Sequence, residues 1–481
     1  MRDLRRRTLS GLNWSAVGQS FQQLAAFLFS IMLARILTPD DFGLIAMVLV
    51  FSGFATLLSE LGLGAALVQR AELAHGHINA AFWANLVAGF VLALTFFVLA
   101  PVLASFYSHP ALEAISRAVA LLFIVSALGV VQGALLQREM SFRRMALVEI
   151  AATVIAGCVA VVLATSGFGV WSLVTQLLLA QTLRTTMLWW ASSWRPTLTL
   201  DRTSLRELWG FSSHLMGFNV FNYWIRNLDN LLIGKFVGAS DLGIYSRAYG
   251  LMLLPVSQLS RVTNRVMFPA LSSIHTDIER SKSLYLKATR SIALVGFPTM
   301  VGLFVVAESF VLAVFGEKWR AVVPLLQLFC LMGIGQSVRT TVGWIYTSQG
   351  RTDLMMKWGI FAGFVQALSF LVGLNWGAIG VATAYVIAGY AILWYPGWVI
   401  PGRLINLTFG QIMLNLRGPF VCSAVMGAAV WAVGTAIPVN WSPWGKLAVQ
   451  VPLGLAIYVW CIHTFRVQPY LELRQTMREG W

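Results

Sequence analysis

Apolar residues run along this chain in blocks of about twenty, separated by short polar stretches, and a helix needs about that length to cross a bilayer. The blocks fall at roughly 13–36, 42–66, 79–103, 114–136, 146–167, 171–191, 211–236, 242–267, 288–312, 321–348, 353–373, 377–399, 418–437 and 446–466, about fourteen in all. The pattern predicts an all-α polytopic membrane protein. The first and eighth blocks are the most polar. The first is expected to be retained rather than cleaved as a signal, because its apolar region is long, it carries Gln19, Gln22 and Gln23, and no small-residue cleavage site follows.

Composition supports this reading. The chain of 481 residues is 58% hydrophobic and 11% charged, with a mean hydropathy of +0.74, whereas soluble domains carry about 25% charged residues. The formal charge of +15 raises the question of a nucleic-acid partner, but the cations fall in alternate loops. Arg2, Arg5, Arg6 and Arg7, then Arg70, then Arg138, Arg143 and Arg144, then Arg195, Arg202 and Arg206 share one side. The same side continues with Arg280, Lys282, Lys287 and Arg290, with Arg351 and Lys357, with Arg403 and Arg417, and with Arg466, Arg474 and Arg478. The opposite loops hold little beyond Lys318, Arg320 and Lys446. This positive-inside bias places both termini in the cytoplasm and makes the excess charge topological, with no nucleic-acid partner. Cys158, Cys330, Cys422 and Cys461 lie in or beside apolar blocks without CxxC spacing and are expected to be buried free thiols.

Two stretches repeat at an offset of 200 residues: LARILTPDDFG at 33–43 and IGKFVGASDLG at 233–243. Arg35 aligns with Lys235, Asp41 with Asp241 and Gly43 with Gly243; upstream, Gln19 aligns with Asn219 and Gln22 with Asn222. Six blocks separate the copies, so both run in the same direction, as parallel repeats about the membrane normal. The predicted organisation is a six-helix lobe at 1–200, a second at 201–402, and two further helices with a cytoplasmic tail at 403–481. Each repeated stretch reads as a tight outer hairpin. Pro39 stops one helix, Asp40 or Asp41 caps the next, Gly43 allows close packing, and the cation before the turn suits a helix C-terminus.

The continuous stretch LARILTPDDFGLIAMVLVFSGFATLLSELGLGAALVQR (33–70) resembles the start of bacterial polysaccharide flippases. These belong to the multidrug/oligosaccharidyl-lipid/polysaccharide exporter superfamily, and the likeness is closer to its colanic-acid and teichuronic-acid branch. IGKFVGASDLGIYSRAYGLMLLP (233–255) and WIYTSQGRTDL (344–354) resemble the same family. The resemblance implies a V-shaped, two-bundle transporter that moves a polyprenyl-diphosphate-linked oligosaccharide across the cytoplasmic membrane by alternating access. It also implies membrane lipids as surroundings, and a polysaccharide polymerase and glycosyltransferases as working neighbours. A drug exporter of the same superfamily is the nearest alternative. A membrane polymerase or ligase is a more distant one, because the outer loops are short.

Ionisable groups inside a span are functional candidates by default. The seventh block carries Asn219, Asn222, Arg226, Asp229 and Asn230 at spacings of three and four, and the first has an uncharged counterpart in Gln19 and Gln22. The eighth adds Arg247, Gln258, Arg261 and Arg265, and the tenth adds Gln336 and Arg339. Arginine's planar fork suits diphosphate oxygens. Arg226, Arg261, Arg265, Arg339 and Arg247 are therefore the expected diphosphate ladder, with Gln19, Gln22, Asn219, Asn222 and Gln258 lining a wet cavity. Arg226 could instead pair with Asp229, and Arg265 could snorkel. Glu60, or Asp229, could take a coupling proton or sodium ion. No metal or other cofactor is expected: the His75–His77 pair lacks a third ligand, and no phosphate-binding GxxxxGK[ST] loop is present. Trp319, Trp441, Trp444 and Tyr395 are expected interface anchors, and Glu308 an interfacial carboxylate.

Overall fold

The structure, a computed structural model, describes residues 2–59, 64, 67–68, 70, 74–198, 220, 222–438 and 440–465. Helix underlies every predicted block wherever it is described, and the described residues contain no strand. Backbone groups in hydrocarbon have no water to bond, so a spanning chain must satisfy them within its own helices. Eight of the described helices, some of them joined end to end, are long and apolar enough to cross a membrane. The chain divides into two compact units, Met1–Gly243 and Ile244–Trp481.

The first unit contains α1 (Arg2–Ile36), α2 (Pro39–Ser59), α3 (His75–Tyr107), α4 (Ala111–Arg138), α5 (Phe142–Thr165), α6 (Val170–Ala191) and α7 (222–236). Lipid tails are as apolar as leucine, so helices here gain by close approach rather than by leaving solvent. Small residues mark those approaches. A methyl group at Gly89 of α3 would lie 2.8 Å from the Phe123 carbonyl oxygen of α4, and one at Gly157 of α5 would meet the Phe29 ring of α1 at 2.4 Å. Polar groups lock the crossings: Thr185 donates to the Val125 carbonyl at 2.9 Å and Trp189 Nε1 to the Leu128 carbonyl at 2.8 Å. The seventh helix packs on the others. The Tyr223 hydroxyl donates to the Val50 carbonyl at 2.6 Å, Trp224 stacks on Phe54 at 4.9 Å, and Lys235 donates to the Phe106 carbonyl at the end of α3. That lysine faces the negative end of a neighbouring helix.

The repeated motif has an unexpected geometry. Thr38, rather than either aspartate, is the cap of α2: Asp41 Oδ2 accepts from the Thr38 amide at 2.9 Å and hydroxyl at 2.7 Å, while the Thr38 hydroxyl accepts from the Asp41 amide at 3.3 Å. Pro39 begins the second helix rather than stopping the first, because its missing N–H costs nothing in a first turn. The two copies of the motif also touch. A methyl group at Gly43 would sit 1.7 Å from the Ala239 carbonyl oxygen, and one at Gly243 would sit 2.0 Å from the Pro39 carbonyl oxygen. Positions matched at the repeat offset thus pack on each other reciprocally.

In chain order, α8 is Ala239–Ser273, running into the second unit, followed there by α9 (Ile278–Val314), α10 (Val322–Arg339), α11 (Val342–Ser348), α12 (Thr352–Gly373), α13 (Gly377–Ile387), α14 (Trp394–Gly402), α15 (Phe409–Ala436) and α16 (Pro443–Thr464). A π-turn, Ala388–Ile392, follows α13. The last two helices are anchored to the rest of the unit: Cys422, Met426, Val430, Tyr458 and Cys461 share a buried cluster with Leu294 and Val306 of α9, and the Tyr458 hydroxyl donates to the Leu294 carbonyl at 2.7 Å. Three cysteines are buried as expected, but Cys158 is exposed on α5, whose buried stripe runs through Ala152, Ala156 and Ala160. Among the expected interface aromatics, Trp441, Trp444 and Tyr395 are exposed, whereas Trp319 is fully buried. Its ring is consumed by packing on Phe315 and on the Arg247 guanidinium. Glu308 is exposed and accepts from Arg320 at 2.7 Å. The same guanidinium bonds Glu317 and holds its carboxyl below the usual carboxylate range.

Candidate functional site

In the first unit a cluster of polar and charged side chains joins α1, α5 and α6. Arg184 Nε bonds Glu149 Oε1 at 2.7 Å, and Gln22 Nε2 donates to Glu149 Oε2 at 3.3 Å. Arg184 also lines a cavity of about 300 Å³ with Ser126, Gln137, Gln181 and Thr185. Gln22, expected to line a wet cavity, is half-buried on α1 and bonded to Glu149. Glu149 and Arg184 escaped the sequence reading, although each lies within an apolar block and the rule for ionisable intramembrane residues points to both. Removing one partner leaves the other charged group unpaired, whereas removing both does not. Glu149→Gln and Arg184→Gln should each lower the thermal midpoint, and the double substitution should recover about 1 kcal/mol of the summed loss. Strictly additive losses in a melting series would show that the pair carries no coupling.

Helix α7 separates its polar residues. Asn222 and Arg226 are exposed, while Asp229 is buried and accepts from the Asn230 amide at 2.8 Å. Asn227 Nδ2 donates to the Tyr223 carbonyl at 2.9 Å. Asn219 and Glu60 lie outside the described residues. Gln19 is half-buried on α1.

In the second unit, α8 is continuous from 239 to 273, so the helical spacing of Arg247, Gln258, Arg261 and Arg265 holds. The side chains of Arg261 and Arg265 lie outside the described residues. Arg247 sits over the rings of Phe315 at 5.4 Å and Trp319 at 5.3 Å, a cation–π seat near the end of α9. Gln258 is half-buried; two residues on, the Ser260 hydroxyl donates to Thr340 Oγ1 at 3.0 Å.

The last turn of α10 carries two more of the expected residues. Gln336 and Arg339, three residues apart, carry buried polar atoms, Oε1 and Nη1, that find no hydrogen-bond partner among the described residues. Burying a polar group without a partner is costly. One turn earlier, the Tyr390 hydroxyl accepts from the Gly335 amide at 3.2 Å and donates to the Leu331 carbonyl at 2.6 Å. Gly335 is required there, since a methyl group would lie 2.7 Å from the Trp394 ring. Among the described residues no group of three or more metal-ligating side chains occurs.

Helices of this length and composition define a multi-pass membrane protein. Its fold is similar to that of a solved structure of the lipid II flippase MurJ, at a TM-score of 0.77 and 13% identity, covering 94% of this chain and 98% of that one. It is also similar to an inward-facing multidrug resistance MATE family transporter, at 0.59 and 16% identity, covering 86% and 98%. A family profile described as "Polysaccharide biosynthesis protein" matches residues 32–324, and the chain belongs to that family. Along nearly its whole length it is similar to the lipopolysaccharide biosynthesis protein WzxC of Escherichia coli (strain K12), 28% identical over 438 residues, covering 90% of this chain and 88% of that one. It is likewise similar to the teichuronic acid biosynthesis protein TuaB of Bacillus subtilis (strain 168), 26% identical with 96% of each covered. The succinoglycan biosynthesis transport protein ExoT of Rhizobium meliloti (strain 1021) is 28% identical, covering 87% and 84%.

Proposed function

We propose that this protein is a flippase for polyprenyl-diphosphate-linked oligosaccharides in the bacterial inner membrane, serving surface-polysaccharide synthesis, with both termini in the cytoplasm. Lobes at 1–200 and 201–402 rock to expose the headgroup to each side in turn, and 403–481 supplies two further helices. The observation that carries the reading is the pair of unpartnered buried atoms on Gln336 and Arg339. A guanidinium at that depth is expensive unless an anion completes it, and a diphosphate supplies oxygens for its fork. Arg226, Arg261 and Arg265 offer further positions along the path, and the Gln22–Glu149–Arg184 cluster offers hydroxyl-binding groups to the sugars. Arg247 braces the aromatic pair at the end of α9 and stands behind the others as a ligand. Glu60 and Asp229 are retained as positions for a coupling proton or sodium ion. Glycosyltransferases and a polymerase are the enzymes that would supply and consume the cargo.

The test is a reconstituted assay. Liposomes holding the purified protein and a fluorescent polyprenyl-diphosphate oligosaccharide should expose the cargo to an external quencher faster than protein-free liposomes do. An imposed proton or sodium gradient should alter that rate if either ion is coupled. Equal rates with and without protein would sink the assignment.

A further inference from the structure

Helix α3 ends at Tyr107, and Ser108 turns the backbone left-handed with a φ of 58°. The turn satisfies two of the last carbonyls: the Ser108 amide donates to Ser105 at 3.2 Å and the His109 amide to Ala104 at 3.0 Å. The Phe106 carbonyl would next take the amide of residue 110, but residue 110 is a proline and has no N–H. Lys235 of α7 supplies the donor. Its Nζ bonds the Phe106 carbonyl oxygen and stands 5.0 Å from the centre of the Phe106 ring. Gly234 brings the lysine within reach, since a methyl group there would lie 2.9 Å from the Tyr107 ring and 3.3 Å from Met47 Cγ. The lysine of the repeated motif thus closes a helix other than its own.

Around this bond the contacts are aromatic. Phe51 of α2 meets the rings of Phe106 at 6.2 Å, Tyr107 at 6.0 Å and Trp224 of α7 at 5.9 Å. Edge-on ring contacts tolerate a range of offsets, whereas a donor aimed at one carbonyl oxygen is either met or lost. The packed arrangement also carries a cost. Tyr107 is buried, and its hydroxyl finds no hydrogen-bond partner among the described residues, which disfavours this packing. One directional bond therefore holds α7 against the end of α3, beside packing that is imperfect.

We infer that Lys235 is a latch on the outer side of the transport path: it holds α7 to the end of α3 while that side is shut, and the bond parts when the side opens. The bias of cations along the chain puts the turns at 108–110 and 237–238 on the outer side. Helix α3 belongs to the first repeat and α7 leads the second, so a rocking motion that exposes cargo outward must separate them there. Opening hands both the ammonium and the carbonyl to water, which bonds each, so the exchange is reversible. Lys235 touches no cargo in this role; it sets the balance between shut and open. The inference rests on the transport reading for what the opening serves, but the contact can be read without any cargo.

Spheroplasts expressing the full-length protein test it. Met47 is fully buried beside Gly234, so Met47→Cys, in a chain that also carries Cys158→Ser, reports access past the latch to a membrane-impermeant maleimide added outside. Labelling should be slow with Lys235 in place and about tenfold faster in Lys235→Met, as expected for the loss of one charge-assisted hydrogen bond. Lys235→Arg keeps a donor and should stay slow. Cys330, Cys422 and Cys461 are buried in the second unit and should remain unlabelled throughout. An unchanged rate in Lys235→Met overturns the latch. So does labelling of the three buried cysteines, which would mean that the lysine supports the fold as a whole. Acceleration only with a reagent confined to the cytoplasmic side overturns it too. Should Met47→Cys fail to fold, hydrogen exchange in the chain without it decides: faster exchange confined to 104–112 and 231–243 in Lys235→Met supports the latch, and equal exchange refutes it. The transport assignment fails separately, if liposomes do not flip the cargo while labelling still responds to Lys235.

Discussion

Arg339→Met should raise the thermal midpoint of this protein while removing most of its transport. The guanidinium carries a buried nitrogen with no partner among the described residues, at the last turn of a membrane-spanning helix. Replacing buried charge by an apolar side chain of similar volume often stabilises, by about 1–4 kcal/mol, because the desolvation penalty disappears. The same change deletes the donor fork offered to a diphosphate. A charge-assisted hydrogen bond contributes about 1.5–3 kcal/mol, so flipping should slow at least about tenfold. Arg339→Lys keeps the charge without the fork and should recover only part of the rate. The two readouts moving in opposite directions separate a ligand-binding arginine from a structural one. A midpoint that falls together with the rate would mean that Arg339 braces the fold.

Gly43→Ala should have the largest effect on folding of any single methyl addition in the first unit. The added carbon would fall 1.7 Å from the Ala239 carbonyl oxygen and 2.3 Å from its carbon. Backbone atoms cannot rotate aside as a side chain can, so the starts of α2 and α8 must separate. Overpacking typically costs about 1–3 kcal/mol where flexible groups can give way, and the loss here should reach the upper end of that range or pass it. Gly243→Ala presses on the Pro39 carbonyl and should behave alike. Because both variants strain one contact, the double substitution should cost less than the sum. Melting curves of the three proteins by fluorescence-detected size exclusion decide it, and an undisturbed midpoint in Gly43→Ala would refute the close approach.

The helices were legible in the sequence because hydrocarbon imposes one requirement, about twenty apolar residues with their backbone satisfied internally. Helix underlies every predicted block where it is described. What hydropathy does not carry is the direction in which a side chain points. Arg247 reads from spacing as a rung of a cationic ladder, yet its guanidinium is seated over Phe315 and Trp319. Trp319 reads from position as an interface anchor and is instead that seat. Asp40 and Asp41 read from type as the cap, yet the bonds run between Thr38 and Asp41 and make Thr38 the capping residue. Glu149 and Arg184 are 35 residues apart on separate helices, so nothing in the linear pattern shows that they pair. Gln336 and Arg339 were legible as candidates, but that their buried atoms lack partners is a property of three-dimensional packing alone.

The Tyr390 hydroxyl has a consequence of its own. It bridges the Gly335 amide and the Leu331 carbonyl, the donor and acceptor of what is elsewhere in a helix a single internal bond. Its residue belongs to the π-turn, where one extra residue is wound into the chain. The stretch of α10 just before Gln336 and Arg339 is therefore stitched to a second segment through a phenol. A helix spliced in this way cannot twist there without dragging the π-turn with it, so the reach of Arg339 is set by the length of a segment about fifty residues downstream. Deleting one residue from Ala388–Ile392 would withdraw the stitch and leave every side chain of α10 chemically unchanged.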